Sequence, residues 1–411
     1  MRLDTRPMWG IDRLASGRLS NTRNRLKEGN VAVLTHDAAV DRDGRQMLFA
    51  LQDIGITPQV VFSPEHGLAG VEQAEVSAAA GTAPAESATR FVSLYGDTKQ
   101  SLIPPSDSLE GVTCLLIDLC DVGSRYYTYV WTALIALRAA AAKGIHTLVL
   151  DRPNPISGDP QTLEGKPQAE GFTSFVGLEP LPIRHALTVG EILALFAERD
   201  GLALGPEGAV SVVATRGWER HRTAAAWGRP FVPPSPNMPT VETALVYPGA
   251  CLIEGTNLSE GRGTTTPFQM VGAPFLDRDQ LAGALVDAAL PGVVVRPTSF
   301  RPSFEKFAGQ VCHGVMLHVT DPVAFRPVRS YMTLIAAARA QAPEHFAFRT
   351  TPYEFEIDTL AFDLLTGGIA VREALVAGAS ATELCELLCP VDPQWQDVVR
   401  TAEDRLERAH A

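Results

Sequence analysis

The chain lacks several features that would fix its class quickly, and each gap narrows the field. Lysine is scarce: only Lys27, Lys99, Lys143, Lys166 and Lys306 occur in 411 residues, and no Lys/Arg cluster forms anywhere. With a formal net charge of −12, the basic face of a nucleic-acid binder is missing. No run of about 18 apolar residues occurs, which argues against a membrane-spanning helix. The opening stretch MRLDTRPMWGIDRLASGRLS has no apolar signal region, so no secretory signal and a cytoplasmic location are expected. None of the six cysteines forms C-x-x-C. Cys114 and Cys251 lie in or beside apolar runs, and Cys385 and Cys389 have the spacing of one helical turn, so packed free thiols are expected. The dinucleotide fingerprint G-x-G-x-x-G, the phosphate loop G-x-x-x-x-G-K-[ST], the serine elbow G-x-S-x-G and the zinc motif H-E-x-x-H are all absent. Asp118 and Asp121 alone make a weak cation site, so no metal is expected.

What is present is an ordered alternation. Hydrophobic content of 45% and charged content of 20% are those of a globular protein, and the length calls for two domains. Apolar runs VAVLTH (31–36), QVVFS (59–63), CLLIDL (114–119), HTLVLD (146–151) and VSVVAT (211–215) read as buried strands. Between them, residues 43–55, 127–144 and 188–201 read as helices. Thr188 and Glu191 carry capping-box spacing at the start of the last one. Strands that are apolar throughout and separated by helices predict an α/β fold, a doubly wound parallel sheet of Rossmann-like type. The proline-dense segment GRPFVPPSPNMP (228–239) excludes helix and central strand and is read as a crossing between domains. The division expected is a Rossmann-like domain over 1–238 and a smaller α+β domain over 239–411. In the second half, 314–321 reads as a strand, with helices in 330–343, 367–390 and 393–411. The small-residue stretch 76–89 reads as a loop.

In open parallel sheets, ligands bind at the carboxyl ends of the strands. Here four consecutive strand ends carry polar groups: Thr35, His36 and Asp37; Ser63, Glu65 and His66; Asp118, Asp121, Ser124 and Arg125, followed by Tyr126 and Tyr127; and Asp151, Arg152 and Asn154. Acids crowded into a site of low polarity cannot all ionise, and one that keeps its proton can donate it. A proton-donating acid beside ionised carboxylates is the arrangement that glycoside hydrolysis uses. Taken singly, each of these residues is an ordinary cap or turn former; their collection at adjacent strand ends points to a cleft. A second polar cluster, EGTNLSEGRGTTTPF (254–268), offers Glu254, Asn257, Glu260 and Arg262. A guanidinium fork there suits a carboxylate ligand, although the same composition serves a phosphate-binding or structural loop. His185, before a helix, reads as an anchored turn residue.

The strings FSPEHGLAG, DLCDVGSRYYTYVWT, LDRPNPISG, LPIRHALTVGE, PSPNMPT and YPGACLIEGTNLSEGRGTTTPFQMVGAPF, in this order, resemble glycoside hydrolase family 171. These are the NamZ-type exo-β-N-acetylmuramidases, long catalogued as a domain of unknown function. The resemblance implies a Rossmann-like domain, a smaller C-terminal domain and a site in the cleft between them. It implies release of N-acetylmuramic acid from the non-reducing end of peptidoglycan fragments (MurNAc-GlcNAc units), with no cofactor. The family's Glu-His motif falls on Glu65 and His66. On this footing Glu65 is the expected general acid, assisted by His66, and Asp121 the first choice for the second carboxylate, with Glu260 and Asp118 as rivals. Arg125 or Arg262 would meet the lactyl carboxylate. Asn154, Asn237 and Asn257 would hold hydroxyls or the acetamido group, with Tyr127 beside them. The chain departs from the family pattern at Cys120, where glutamine is expected, and at Ala186, where glycine is expected after Arg184-His185. It also departs at Thr35-His36-Asp37-Ala38 and in the stretch following Gly67. The alternative these departures keep open is a non-catalytic wall-fragment binding protein on a hydrolase scaffold.

Overall fold

The computed structural model describes residues 6–69 and 89–411. Most of the stretch 76–89 therefore lies outside the described residues. Six strands form a parallel sheet: β1 (Val31–Thr35), β2 (Val60–Ser63), β3 (Arg90–Ser93), β4 (Cys114–Asp118), β5 (His146–Leu150) and β6 (Val210–Val213), in the order β3-β2-β1-β4-β5-β6. The five strands read from the sequence are all present. The edge strand β3 was not anticipated; it is short and half-exposed, so the continuous apolar signal of a central strand is missing.

Side-chain alternation sorts each strand's residues onto two faces. Ala32, Leu34, Leu115 and Ile117 join one core, with the helices Tyr129–Ala141 and Val189–Arg199. Val31, Val33, Cys114 and Leu116 join the other, with the helices Gly10–Ala15, Ser20–Glu28 and Met47–Asp53. Both faces are therefore covered, as the uninterrupted apolar runs require. The capping box forms as expected: Thr188 Oγ1 accepts from Glu191 N at 3.1 Å, and Glu191 Oε2 accepts from Thr188 N at 2.9 Å.

The second half builds an antiparallel sheet of β7 (Met270–Ala273), β8 (Val293–Phe300) and β9 (Cys312–Val319), in the order β7-β9-β8. Only β9 was legible in advance. β8 carries Pro297, which argues against a central strand; β8 accommodates it by lying on the edge. The helices Val241–Ala250 and Pro327–Gln341 pack so closely that a Cβ at Gly249 would stand 2.0 Å from Pro327 O. One apolar core runs through both halves, from Leu115 to Val315. The end of the chain returns to the first sheet, where Val212 N donates to Ala409 O at 2.7 Å and Arg405 and Arg408 both bind Glu198. The 393–411 stretch forms two helices, Pro393–Arg400 and Ala402–Arg408, rather than one. The proline-dense segment crosses between the halves without regular structure and places Ser235, Asn237 and Met238 beside the cavity described next.

Candidate active site

A cavity of about 220 Å³ lies between the carboxyl edge of the sheet and the second half. Its sheet-side wall starts at the end of β2. Glu65 is 8% exposed. Its Oε2 accepts a hydrogen bond from Thr128 Oγ1 at 2.7 Å, and its main-chain oxygen accepts from the Tyr129 hydroxyl at 3.1 Å. Thr128 and Tyr129 begin the helix that follows β4, so the sheet order itself brings β2 and β4 chemistry together. His66 has φ 68°, a left-handed conformation uncommon outside glycine. Its Nδ1 is buried without a hydrogen-bond partner among the described residues. The Tyr127 hydroxyl is likewise buried without one. Tyr127 packs at a tilt against Tyr129 at 4.7 Å and meets Tyr247 edge-on at 6.3 Å, and Tyr247 meets Phe268 at 4.9 Å. This aromatic band joins the two halves at the cavity.

The opposite wall is ionic. Arg262 donates to Glu254 Oε1 at 2.6 Å and lies 3.4 Å from Glu260 Oε1. Lys306 donates to Glu260 Oε2 and to the Ile253 and Leu258 carbonyls, each at 3.0 Å. The Tyr353 hydroxyl donates to Glu254 Oε2 at 2.7 Å. Burial pushes the Glu254 carboxyl up, but the charge and hydrogen bond of Arg262 outweigh it and hold the group below its ordinary value. Glu254 is therefore ionised. Four cavity residues, His66, Phe268, Glu305 and Glu354, hold positive φ without being glycine. Such conformations cluster where surrounding structure fixes a binding surface.

Of the residues singled out in the sequence, Glu65, His66, Tyr126, Tyr127, Asn237, Glu254, Glu260 and Arg262 line this cavity. Asp118, Asp121, Arg125, Asn154 and Asn257 do not line it. Asp118 is fully buried and both its oxygens are taken by Arg152, with Nη2 to Oδ2 at 2.9 Å. Burial raises the Asp118 carboxyl even though Arg152 pulls the other way. Asp121 Oδ2 accepts from Gly123 N at 2.7 Å and lies 3.2 Å from His185 Nε2, and its Oδ1 is buried without a hydrogen-bond partner among the described residues. Arg125 is 0% exposed and its guanidinium is spent on the carbonyls of Lys166, Leu181 and Leu365. Asn154 bridges Leu187 O and Ile156 N within its own loop. Asn257 clamps the chain at His345 O and Ala347 N. His185 accepts from Leu187 N at 3.1 Å, the anchored turn expected of it.

His36 accepts from Cys120 N at 3.1 Å and is held neutral, its pKa lowered to about 3 by burial and then by the charge of Arg152. With Asp118 and Arg152 it fills the point between β1 and β4 where the strand order reverses. That is the crevice where doubly wound folds commonly bind ligands. The cavity is displaced from it toward β2. Thr128, Val176, Tyr247, Lys306, Arg349, Tyr353 and Glu354 also line it and were not anticipated. Lys306 alone carried a cue, as one of five lysines directly following an acid. Among the described residues no group of three or more His, Cys, Asp or Glu side chains is placed to hold a metal, and all six cysteines are free thiols.

Comparison with known proteins places this geometry in a family. Residues 31–242 match the model "Exo-beta-N-acetylmuramidase NamZ, N-terminal", and residues 245–401 match its C-terminal counterpart. The chain is 38% identical over 380 residues to the peptidoglycan beta-N-acetylmuramidase NamZ of Bacillus subtilis, covering 91% of this chain and 86% of that protein. Two crystal structures of DUF1343 family proteins from Bacteroides fragilis share the fold. One has a TM-score of 0.81 at 25% identity over 98% of this chain and 99% of the other. The second has a TM-score of 0.69 at 24% identity over 98% of both. The acid-lined cavity at the end of β2 thus sits in a chain that belongs to the exo-β-N-acetylmuramidase NamZ family.

Proposed function

We propose that this chain is an exo-acting glycosidase that releases N-acetylmuramic acid from the non-reducing end of peptidoglycan fragments such as MurNAc-GlcNAc, with Glu65 as proton donor. The observation that carries the reading is the contrast among the cavity's buried acids. Both oxygens of Glu254 and of Glu260 are engaged by cations or by Tyr353. Glu65 has one oxygen held by Thr128 and no hydrogen bond to the other among the described residues. Since the Thr128 hydroxyl donates to Oε2, a proton on Glu65 resides on Oε1, from which it passes to the glycosidic oxygen as the bond breaks. Positive charge then develops at the sugar's anomeric carbon. The ionised Glu254 faces it from the other wall, beside Glu260, and stabilises it electrostatically. Arg262, Lys306 and Arg349 supply the positive charge for the lactyl carboxylate on that wall.

The departures at Cys120 and Ala186 do not favour the binding-protein alternative. Cys120 donates its thiol to Ala38 O at 3.4 Å and lines a separate apolar hollow. Ala186 is fully buried at φ 56°, a position where glycine is the easier residue for backbone reasons alone. Neither touches the acidic cavity. The test is Glu65→Gln, assayed by mass on MurNAc-GlcNAc and optically on a nitrophenyl glycoside of muramic acid. Loss of roughly 10²–10⁴-fold on the disaccharide, with a smaller loss on the nitrophenyl leaving group, is expected. Near wild-type release of free N-acetylmuramic acid from the disaccharide would remove Glu65 from the chemistry.

A further inference from the structure

A second polar cavity lies beyond β6, at the opposite side of the sheet from Glu65. It measures about 260 Å³ and is lined by Met8, Arg13, Arg18, Leu19, Arg216 and His410. Among the described residues three guanidiniums and an imidazole surround it, and no acidic side chain lines it. In a chain of net charge −12, such a one-signed cluster is out of character. Repulsion among like charges at short range disfavours the arrangement unless an anion completes it.

The cluster is built, not draped. Arg13 is 7% exposed. Its Nη1 donates to Ala214 O at 2.5 Å and its Nη2 donates to His410 Nε2 at 3.3 Å. His410 Nδ1 lies 2.8 Å from Ala411 O. The neighbouring charge of Arg216 adds to burial in lowering the Arg13 pKa. Arg216 is fixed by paired main-chain bonds with Met8, each 2.8 Å, so its position is set by backbone. The side chains of Arg18 and Arg216 are exposed and make no ion pair among the described residues.

From this arrangement we infer that the cavity at the end of β6 binds a doubly charged tetrahedral oxyanion of the phosphate class, free or as a small phosphate monoester. A carboxylate brings one negative charge and two acceptor oxygens to three guanidiniums. A phosphate brings nearly two charges and three oxygens, matching planar guanidinium forks. The site is separate from the acidic cavity: β2 and β6 stand four strand spacings of about 4.8 Å apart, roughly 19 Å.

The test is calorimetric titration of the full chain with inorganic phosphate, glucosamine 6-phosphate and acetate at constant ionic strength. Phosphate is expected to bind with a stoichiometry of one and at least about tenfold more tightly than acetate, as charge-assisted forks imply. Arg18→Ser with Arg216→Ser, both exposed and tolerable to folding, should weaken phosphate by about tenfold or more; Glu65→Gln should leave it unchanged. Tighter binding of the sugar phosphate would identify a monoester as the ligand, and equal or weaker binding would identify free phosphate. Equal affinity for phosphate and acetate, undiminished binding by the double variant, or loss of binding in Glu65→Gln would overturn the inference.

Discussion

The end of β2 and the ends of β4 and β5 look alike in sequence: apolar run, then acids and a cation or imidazole. In the folded chain they do opposite work. Glu65 after β2 faces a cavity with half its hydrogen-bonding capacity uncommitted. Asp118 after β4, and Asp151, Arg152 and Asn154 after β5, are spent on one another and on nearby groups, while Asp121 gives Oδ2 to Gly123 N and keeps a buried Oδ1 without a partner among the described residues, away from the cavity. Asp151 illustrates the second case, accepting from Gly190 N at 2.8 Å and Thr188 Oγ1 at 2.9 Å. A strand end is where polar groups collect, but a ligand site arises only where the neighbouring strand does not supply the partner. β2 lies one place in from the edge, flanked by the short β3, and no arginine follows β3 to neutralise Glu65.

The comparison can be broken most forcefully at Arg152. Replacing it by methionine leaves Asp118 buried without its partner, which should cost about 3–5 kcal/mol in urea unfolding. Adding Asp118→Leu should recover most of that loss, since an apolar pair often matches a buried ion pair. Activity per folded molecule should survive in the double variant. If the double variant folds well yet releases no sugar, the β4 end contributes to chemistry after all.

This is also where the sequence stopped being readable. The strand bodies could be read because their apolar runs leave no other use for them, and Thr188-Glu191 because a cap is local. Glu65 and His66 could be read because an acid and an imidazole enter a glycine turn directly from a strand. The pairing of Arg152 with Asp118, 34 residues apart, and the turning of Arg125 onto three distant carbonyls could not, because both depend on which strands become neighbours. The far wall was harder still. Its cavity residues Glu305 and Glu354 sit at positive φ in loops without periodicity, and β8 hid behind Pro297.

Asp121 offers a sharper and smaller test. Asp121→Asn keeps an oxygen for Gly123 N but weakens the contact with His185, which lies 3.2 Å from Oδ2. The expected loss is about 0.5–1.5 kcal/mol of stability, the range for one ordinary hydrogen bond, with kcat/KM on MurNAc-GlcNAc unchanged within a few-fold. A fall comparable to that of Glu65→Gln would show that the carboxylate reaches the sugar and would restore it as the second acid.

The smallest effect is expected at Ala186, next to His185 and on the same side of the comparison. Its φ of 56° is unfavourable for any residue with a Cβ by about 1–2 kcal/mol. Glycine removes that strain, but it also surrenders a fully buried methyl worth about 0.8 kcal/mol. It further loosens the unfolded chain by about 0.4–1 kcal/mol. The three contributions nearly cancel, so Ala186→Gly should shift stability by less than about 1 kcal/mol in either direction and leave kcat/KM as it is. A tenfold or greater rise in turnover would mean that this turn positions the end of β4 for catalysis, and that the β4 end is not the inert counterpart of β2.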